Sequence, residues 1–332
     1  MPVTMRDVAQ KAGVSTKTVS RVVNDQSEIA EATRQRVLAV IKELGYRPSR
    51  VAQAMITQRT RTIGFVIPDI TNPFFPEVAQ GIQDLARERD YNVFMCNVAG
   101  NPEENVYALH SLAAQGVDGI ILWTSSISHE NLIVFADSYR PIAVVNRYLE
   151  HPSISQIIVD NYRGAGLAVD HLVGLGHTKI AMLAGHKDTP SKGRRGRVRG
   201  FYDALQEHGL TVIPDWIIPG SPRLVRGYDA TLQLLRQNPQ ISAIFAYNDL
   251  LAIGAMRACH DLGRHVPADC AIVGFDDIQF AQMATPCLTT VHYDKYALGR
   301  QAAIRLLEMV ENPDTHFPTI YVGVDLVVRE ST

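Results

Sequence analysis

The chain has 332 residues, of which 46% are hydrophobic and 20% are charged, and this composition is typical of a soluble globular protein. No apolar run reaches the ~18 residues that cross a bilayer, and the first residues lack a secretory signal, so we expect a cytoplasmic protein that enters no membrane. The four cysteines form no C-x-x-C pair, which excludes a disulfide framework and the common zinc motifs. We expect neither a metal nor a cofactor.

The charge is distributed unevenly along the chain. Of the 32 basic and 34 acidic residues, 11 and 5 lie in residues 1–62, so this segment carries a net charge of +6 and the remainder −8. A basic segment joined to an acidic body is typical of a polyanion-binding module attached to a domain that does not bind nucleic acid. Charge alone also fits an ordinary solvated surface.

A short helix is predicted over residues 4–12, where Thr4 can cap the first turn. Gly13 follows, at a turn that favours a residue able to adopt positive φ. Ser15 can then cap a second helix over residues 16–24. Val and Ala side chains of both helices can form a small core. The outer face of the second helix is left with Thr16, Lys17, Ser20 and Arg21.

A third helix is predicted over residues 31–44 and ends at Gly45. Two short helices around a Gly-containing turn, the second with polar side chains at its N-terminal end, form the helix-turn-helix pattern. In this geometry the second helix enters the major groove of DNA, where Thr, Lys and Arg can contact base edges. Three-helix modules that bind no DNA share the bare pattern, so it does not by itself establish DNA binding.

The string D-V-A-x-x-A-G-V-S-x-x-T-V-S-R-V-V-N, residues 7–24, is far more specific. With it, the chain resembles the LacI/GalR family of bacterial repressors over its whole length. The resemblance implies a sequence-specific transcriptional repressor, not an enzyme, whose operator affinity is controlled by a small-molecule effector. The base-reading residues it implies are Thr16, Lys17 and Arg21. The implied contacts to the DNA backbone are Ser15, Thr18 and Asn24.

Residues 48–61 follow as a hinge and linker. Their segment P-S-R-V-A-Q-A-M-I resembles the hinge helix of the family, N-x-x-A-x-x-L, with Ser49 in place of Asn and Met55 in place of Leu. An isolated helix this short is marginal, so we expect it to form only when two chains pair over DNA. The resemblance implies that Met55 wedges into the minor groove and that Arg50 and Ala52 also contact DNA. The alternative is a plain linker.

From residue 62 onward, apolar strands alternate with amphipathic helices. The predicted strands are residues 63–67, 92–98, 119–124, 142–146, 179–183, 243–247 and 271–275. Near-continuous apolar strands between helices favour parallel sheets covered on both faces, and their number exceeds one compact sheet. We therefore predict an α/β core of two doubly wound lobes. The resemblance implies the fold of periplasmic sugar-binding proteins, with three crossovers between the lobes.

The domain boundaries follow from these elements. We assign a head (1–47), a hinge (48–61), an N-terminal lobe (62–160 and 292–319) and a C-terminal lobe (161–291 and 320–332). Residues 156–160 and 289–294 suit strand crossings between the lobes. The chain ends after a strand predicted at 320–328 without a leucine-heptad helix, so we expect a homodimer rather than a tetramer.

In doubly wound sheets, ligands bind beyond the carboxyl ends of the strands, and a two-lobed protein places that crevice between its lobes. Polar or aromatic side chains follow the predicted strands at residues 68–75, Trp123, Asn146–Arg147, Asp160–Asn161, Asn248–Asp249 and Asp276–Asp277. The polar effector anchors that the resemblance implies on the C-terminal lobe are Arg197, Asn248 and Asp276. The side chains implied to face them are Phe74, Asn146 and Asp160. Asn72 and Trp123 complete the candidate set.

Each of these residues has an ordinary alternative role as a helix cap or a partner in a loop ion pair. Asn146 stands where some relatives carry Asp, which leaves the effector open. A sugar or sugar acid is the class expected, and the sequence does not decide between an inducer and a corepressor. The basic residues 194–199 are expected to line the crevice.

Two other functions share some of these features. Asp276–Asp277 could be paired catalytic acids, but the complete nucleotide-binding, zinc and nucleophile motifs of enzymes are missing. A periplasmic binding protein would share the core but not the DNA-reading head. The prediction that remains is an effector-responsive repressor that binds double-stranded operator DNA as a homodimer, because the head reads half-sites and a hinge helix needs a partner.

Overall fold

The computed structural model divides the chain into two compact units, Met1–Arg61 and Thr62–Thr332. The described residues are 3–23, 29–46, 54, 57–123, 126–139, 141–185 and 192–332, with only the backbone described for 192–195. Within these ranges, no helix is long and apolar enough to cross a membrane.

The described part of the first unit contains α1 (Met5–Ala12), α2 (Thr16–Val23) and α3 (Glu31–Leu44), as the sequence predicts. A salt bridge of 2.6 Å from Lys11 Nζ to Glu43 Oε1 joins α1 to α3. The small core between the helices consists of Val8, Ala9, Ala12, Val19, Val22, Val37, Val40 and Tyr46. Most of these side chains are short, so three short helices pack closely around them.

Local hydrogen bonds fix the turn between α1 and α2. The Thr4 hydroxyl accepts from the N–H of Asp7 at 3.4 Å, and the Asp7 carboxylate accepts from the N–H of Thr4 at 2.8 Å, which is a capping box. Gly13 ends α1 with φ +64°, a conformation that favours glycine. Ser15 Oγ then accepts from the N–H of Thr18 at 3.1 Å and caps α2.

The N-terminal lobe of the second unit is built on one parallel sheet. Its strands are β1 (Thr62–Ile67), β2 (Asn92–Asn97), β3 (Gly119–Leu122), β4 (Ile142–Val145), β5 (Ile154–Val159) and β11 (Ile320–Val322). Their order is β11-β5-β4-β3-β1-β2. The helices of this lobe are α4 (Phe74–Glu88), α5 (Pro102–Ala114), α6 (His129–Ser138) and α12 (Lys295–Glu311).

The C-terminal lobe is built on a second sheet. Its strands are β6 (Ile180–Leu183), β7 (Ile217–Ile218), β8 (Ala243–Ala246), β9 (Ala271–Phe275), β10 (Thr289–His292) and β12 (Asp325–Val327). Their order is β12-β10-β9-β8-β6-β7, and β12 runs antiparallel to β10. The helices are α7 (Asn161–Gly174), α8 (Lys192–Glu207), α9 (Leu224–Gln237), α10 (Asp249–Asp261) and α11 (Gln279–Met283), with a short 3₁₀ turn at Pro214–Trp216.

Burial explains the composition of the central strands. All residues of β1, β3, β4 and β5 are buried, as are those of β6, β8 and β9. Strands covered by helices on both faces have no solvent-facing side to carry polar residues, so most of them read as nearly continuous apolar runs. β5 is the exception, because its polar residues Ser155 and Gln156 are buried as well. In the N-terminal lobe, Gly81 of α4 and Gly299 of α12 allow close helix packing, because a Cβ on Gly81 would lie 2.1 Å from the carbonyl oxygen of Tyr296.

The chain crosses between the lobes after β5, after β10 and between β11 and β12. The third crossing corrects the prediction of one strand over 320–328 belonging wholly to the C-terminal lobe. Ile320 pairs with Ile157 of β5, whereas Val327 pairs with Thr290 of β10. Two short edge strands are therefore formed, β11 in the sheet of the N-terminal lobe and β12 in the sheet of the C-terminal lobe. The last boundary between the lobes lies at residues 323–324 rather than at 319–320.

Candidate functional site

The outer face of α2 carries the polar side chains expected to read DNA. Thr16 and Lys17 are exposed, whereas Val19 and Val22 on the opposite face are buried in the core of the head. Arg21, one turn further along, is half-buried. The exposed N-terminal end of α2 combines the positive end of the helix dipole with a lysine, a combination that suits the phosphates and base edges of a DNA groove.

The cap of α2 involves two of the predicted backbone-contacting residues. Ser15 is exposed and Thr18 half-buried, and their hydroxyl oxygens lie 2.9 Å apart. Their fixed positions at the start of the helix suit contacts to phosphate. The other predicted DNA contacts, Asn24, Arg50, Ala52 and Met55, lie outside the described residues.

A buried polar cluster lies in the core, at the carboxyl ends of the strands where the lobes meet. At its centre is Arg197 of α8, which is 4% exposed. Its Nε donates to Asn161 Oδ1 at 2.7 Å, and its Nη2 donates to Asp276 Oδ1 at 3.1 Å. Its Nη1 donates to the carbonyl oxygen of Tyr247, and the guanidinium lies 3.7 Å from the ring centroid of Phe275. The protein itself therefore holds Arg197 rigidly from three sides.

Asp276 directly follows β9 and has φ +103°. Its carboxylate also accepts from the hydroxyl of Tyr293 at 2.8 Å. Lys295 Nζ donates to the carbonyl oxygens of Asp276 (2.9 Å) and Asp277 (2.8 Å), which stabilises this unusual turn. Burial raises the pKa of the Asp276 carboxyl, and the positive charge of Arg197 offsets part of that shift.

A second buried acid, Asp249, lies at the start of α10 beside Asp276. Its carboxylate accepts from the Thr290 hydroxyl at 2.5 Å and from the N–H of Ile278 at 2.8 Å. Burial and the nearby Asp276 raise the pKa of Asp249 well above its usual range. Its bonds hold β10 and the segment after β9 to the start of α10, so it supports the cluster rather than facing a ligand.

The cluster continues into the N-terminal lobe through Asn146, which follows β4 with φ +55°. Its Oδ1 accepts from the N–H of Val159 at 2.9 Å and lies 3.4 Å from Asn161 Nδ2. Asn161, at the first crossing between the lobes, also contacts Arg197. Three candidates from the sequence, Asn146, Arg197 and Asp276, are therefore brought together by residues of both lobes.

Aromatic rings lie next to the polar cluster. Phe74 is 4% exposed, and its ring centroid lies 4.9 Å from that of Trp123 in an edge-on arrangement. It also lies 6.1 Å from Tyr293, which in turn lies 6.2 Å from Phe275. The rings form an apolar wall that runs from one lobe to the other, in which Trp123 keeps a partly exposed face.

The other three candidates bond to backbone N–H groups at the starts of helices, and two of them are helix caps, which was their alternative role. Asn72 Oδ1 accepts from the N–H of Phe74, the first residue of α4, at 3.0 Å. Asp160 caps α7, and Asn248 caps α10. The Asn248 amide also donates to the carbonyl oxygen of Pro222 at 3.2 Å. These side chains hold the helix ends that border the cluster.

The structure also adds residues that the sequence analysis did not select. Tyr293 directly follows β10 and Lys295 begins α12 two residues later, so the rule that ligands bind after strands could have found them. Among the basic residues 194–199, Arg199 does not line the cleft as expected. It is exposed and pairs with Asp203 of the same helix at 2.6 Å. No group of three or more metal-ligating side chains occurs in the part of the chain that is described.

Two family models together match most of the chain. One, described as bacterial regulatory proteins of the lacI family, matches residues 4–49. The other, described as periplasmic binding proteins and sugar binding domain of the LacI family, matches residues 60–329. The chain belongs to the LacI family of bacterial regulatory proteins.

Individual LacI-family relatives match over nearly the full length. The HTH-type transcriptional repressor PurR of Proteus mirabilis (strain HI4320) is 36% identical over 331 residues, which are 99% of this chain and 96% of that protein. The Lac repressor dimer bound to operator and the anti-inducer ONPF superposes with a TM-score of 0.89 at 31% identity, covering 100% of this chain and 99% of the other. A LacI-family transcriptional regulator from Enterococcus faecium with bound ribose has a TM-score of 0.74 at 31% identity, covering 82% of this chain and 98% of the other.

Membership in the LacI family confirms the resemblance stated from the sequence. The predicted fold class, a helix-turn-helix head with a two-lobed periplasmic-binding-protein-like core, is also confirmed. This LacI-family chain is a DNA-binding transcriptional repressor with an effector-binding core, and it is not an enzyme.

Proposed function

We propose that this repressor binds a two-fold symmetric operator in the cytoplasm as a homodimer, and that a small sugar-type effector bound between the lobes controls this binding. The observation that carries the proposal is the exposed N-terminal end of α2. Thr16 and Lys17 are exposed there, while the opposite face of the helix packs into the core of the head. A recognition helix must present its first residues to the major groove in this way.

The DNA-contacting residues proposed divide into two groups. Thr16, Lys17 and Arg21 read base edges, and the arginine is suited to bind O6 and N7 of guanine together. The proposed contacts to the sugar-phosphate backbone are Ser15, Thr18, Asn24, Arg50 and Ala52. Met55 of the hinge enters the minor groove when two chains pair, and that requirement makes the dimer the operator-binding form.

The effector site proposed is the region around Arg197, Asp276, Asn146, Phe74 and Trp123. Aromatic side chains beside paired hydrogen-bonding groups are the usual means of binding sugars and similar polar ring compounds. The ribose bound to the Enterococcus faecium relative supports this class of ligand. Three residues at the starts of helices, Asn72, Asp160 and Asn248, border the same region and complete the proposed set.

The experiment that tests DNA reading is binding-site selection with the full chain and a pool of duplexes with a randomised central segment. We expect enrichment of one pseudo-palindromic site. Fluorescence anisotropy should then give an affinity for that site at least ~10³-fold higher than for a scrambled duplex.

The decisive variant is a double substitution at the start of α2 that combines Thr16→Ala with Lys17→Ala. It should lose the preference for the selected site, because the base contacts are removed. Arg36→Ala is the matched control, since it removes one exposed positive charge from α3 of the same head. Failure to enrich any site, or an unchanged preference in the double variant, would overturn the proposal.

A further inference from the structure

Cys259 and Cys270 form a pair of buried thiols in the C-terminal lobe. Both are free, both are 0% exposed, and both belong to the same apolar core. Their side chains are hydrogen-bonded to each other. A single buried cysteine commonly acts as a small apolar side chain. Two sulfur atoms in direct contact have in addition the proximity that a bond between them requires.

The backbone between the two cysteines keeps them in contact. Cys259 lies in the last turn of α10, and Cys270 directly precedes β9. The carbonyl oxygen of Cys259 accepts from the N–H of Arg264 at 2.8 Å. The N–H of Cys270 donates to the carbonyl oxygen of His265 at 3.3 Å, and the Asp269 carboxylate accepts from the N–H of His265 at 2.8 Å. The connection is therefore a compact loop whose two ends meet at the sulfur atoms.

The contact makes the two thiols chemically unequal. The hydrogen bond from Cys270 lowers the pKa of Cys259, and the positive charge of Arg264 lowers it further, although burial acts in the opposite direction. The same hydrogen bond, followed by burial, raises the pKa of Cys270. The thiolate is the reactive form of cysteine, so Cys259 is the nucleophile of the pair and Cys270 is the thiol that reacts second.

We propose that Cys259 and Cys270 are a redox-active pair, which hydrogen peroxide converts to a disulfide within one chain and a dithiol reductant restores. The Cys259 thiolate attacks one peroxide oxygen, so that an S–O bond forms, the O–O bond breaks and the leaving hydroxide is protonated to water. The Cys270 thiol then attacks the sulfur of the sulfenic acid on Cys259. An S–S bond forms, the S–O bond breaks, and the proton of Cys270 leaves with the hydroxide as a second water. Two thiols are oxidised and one peroxide is reduced to two molecules of water.

The disulfide joins two elements whose other ends carry the effector cluster. α10 begins at Asp249, directly after its cap Asn248, and β9 leads directly into Asp276. A bond between the end of α10 and the start of β9 limits the movement of one element against the other. Oxidation therefore stiffens the C-terminal side of the proposed effector site. This consequence rests on the proposed function, whereas the disulfide itself does not.

Burial makes the pair selective for its oxidant. Neither sulfur atom is exposed, so a bulky disulfide such as oxidised glutathione has no approach to the folded pair. Hydrogen peroxide is close to water in size and can reach it, although burial slows the reaction. The other two cysteines, Cys96 and Cys287, are half-buried and react independently of the pair.

The test uses the full chain with Cys96→Ser and Cys287→Ser, which leaves the pair as its only cysteines. The chain is reduced with dithiothreitol, freed of reductant and exposed to hydrogen peroxide. It is then unfolded in denaturant and alkylated with iodoacetamide, so that mass spectrometry counts the remaining thiols. We expect both thiols to be lost together, with the mass of two hydrogen atoms, and peptide mapping to link Cys259 to Cys270. Dithiothreitol should restore both thiols.

A stability measurement reports on the stiffening. The disulfide closes the loop 259–270 in the unfolded chain, so it should raise the melting temperature by roughly 5 °C, and dithiothreitol should reverse the rise. Hydrogen exchange of peptides from α10 and β9 should become slower in the oxidised chain. Cys270→Ala in the same background is the matched control. Its oxidation should stop at a sulfenic acid on Cys259, which dimedone labels, without a rise in melting temperature.

The wild-type chain is mapped in parallel, because it carries no substitution that could disturb the fold. Retention of both thiols after peroxide treatment, or a link from either buried cysteine to Cys96, to Cys287 or to a second chain, would overturn the redox-active pair. Oxidised glutathione acting as fast as hydrogen peroxide would show reaction in an opened chain and would overturn it as well. A disulfide that changes neither the melting temperature nor hydrogen exchange would overturn the stiffening of the effector site.

Discussion

Arg21 is the residue through which the head is expected to discriminate most strongly between bases. It lies one turn after the exposed start of α2 and is half-buried. Arg21→Ala should cost about 1–3 kcal/mol on the selected operator and relax the preference at one base pair. Competition with duplexes that carry single base substitutions measures this. An equal loss on every duplex would mark Arg21 as a phosphate contact instead.

His177 makes the stability of the C-terminal lobe depend on pH. Its Nδ1 lies 3.0 Å from Ser242 Oγ, and burial, followed by the neighbouring His171, lowers the pKa of His177. The folded state therefore prefers the neutral imidazole. Above pH ~6.5, the pKa of histidine in the unfolded chain, His177 is neutral in both states and its contribution to stability is complete. This contribution is lost as the pH falls through the lower pKa that His177 has in the folded state.

The melting temperature should accordingly fall between pH 7.5 and pH 5.5. His177→Gln should reduce that fall, because Gln can still bond to Ser242 but does not take up a proton. His316→Gln replaces an exposed histidine and should leave the pH dependence unchanged. Identical pH profiles for His177→Gln and the wild type would show that His177 does not contribute.

At single positions, the sequence predicts the region of the site better than the role of each side chain. The rule that ligands bind after strands selects Asn146 and Asp276, which the structure brings to one cluster. The same rule selects Asp160 and Asn248, which cap helices. Where a helix follows a strand end, the same position suits both an Asp or Asn that caps the helix and one that binds a ligand. Only the hydrogen-bond partners of the side chain distinguish the two roles.

Among the elements, α1 depends most visibly on its cap. An eight-residue helix is marginal by itself, and the capping box of Thr4 and Asp7 satisfies two of its unpaired N–H groups. Thr4→Ala should destabilise the head by about 1 kcal/mol. Hydrogen exchange of peptides from residues 3–23 should therefore become about fivefold faster where exchange follows unfolding of the head. Gln10→Ala, on the exposed face of α1, is the matched control and should leave exchange unchanged.

The elements predicted well are those whose own residues determine them. The caps and glycine turns of α1 and α3 can be read directly, because Thr4, Gly13 and Gly45 act on adjacent backbone. The final strand segment is different, since its pairing depends on partners more than a hundred residues away in β5 and some thirty residues away in β10. An apolar run at 320–328 contains no local signal for a change of sheet, so the split into β11 and β12 could not be predicted.

At the scale of the whole molecule, the charge asymmetry governs association with DNA. The head segment carries +6 and the remaining residues −8, so the acidic core should repel the polyanion that the head attracts. Operator affinity should then fall linearly on a double logarithmic plot against salt, with a slope of about −0.9 for each phosphate contact. Anisotropy titrations from 50 to 200 mM salt measure the slope. An affinity that does not change over this range would contradict electrostatic binding through the head.

Repression at the selected operator tests the central claim most directly. A reporter gene is placed behind a promoter that overlaps this operator, and its expression is measured with the full chain present at a fixed level. We predict that the wild-type chain lowers expression, and that neither the variant combining Thr16→Ala with Lys17→Ala nor a scrambled operator supports this decrease. Unchanged or increased expression with the wild-type chain, at a site that it binds in vitro, would contradict a repressor.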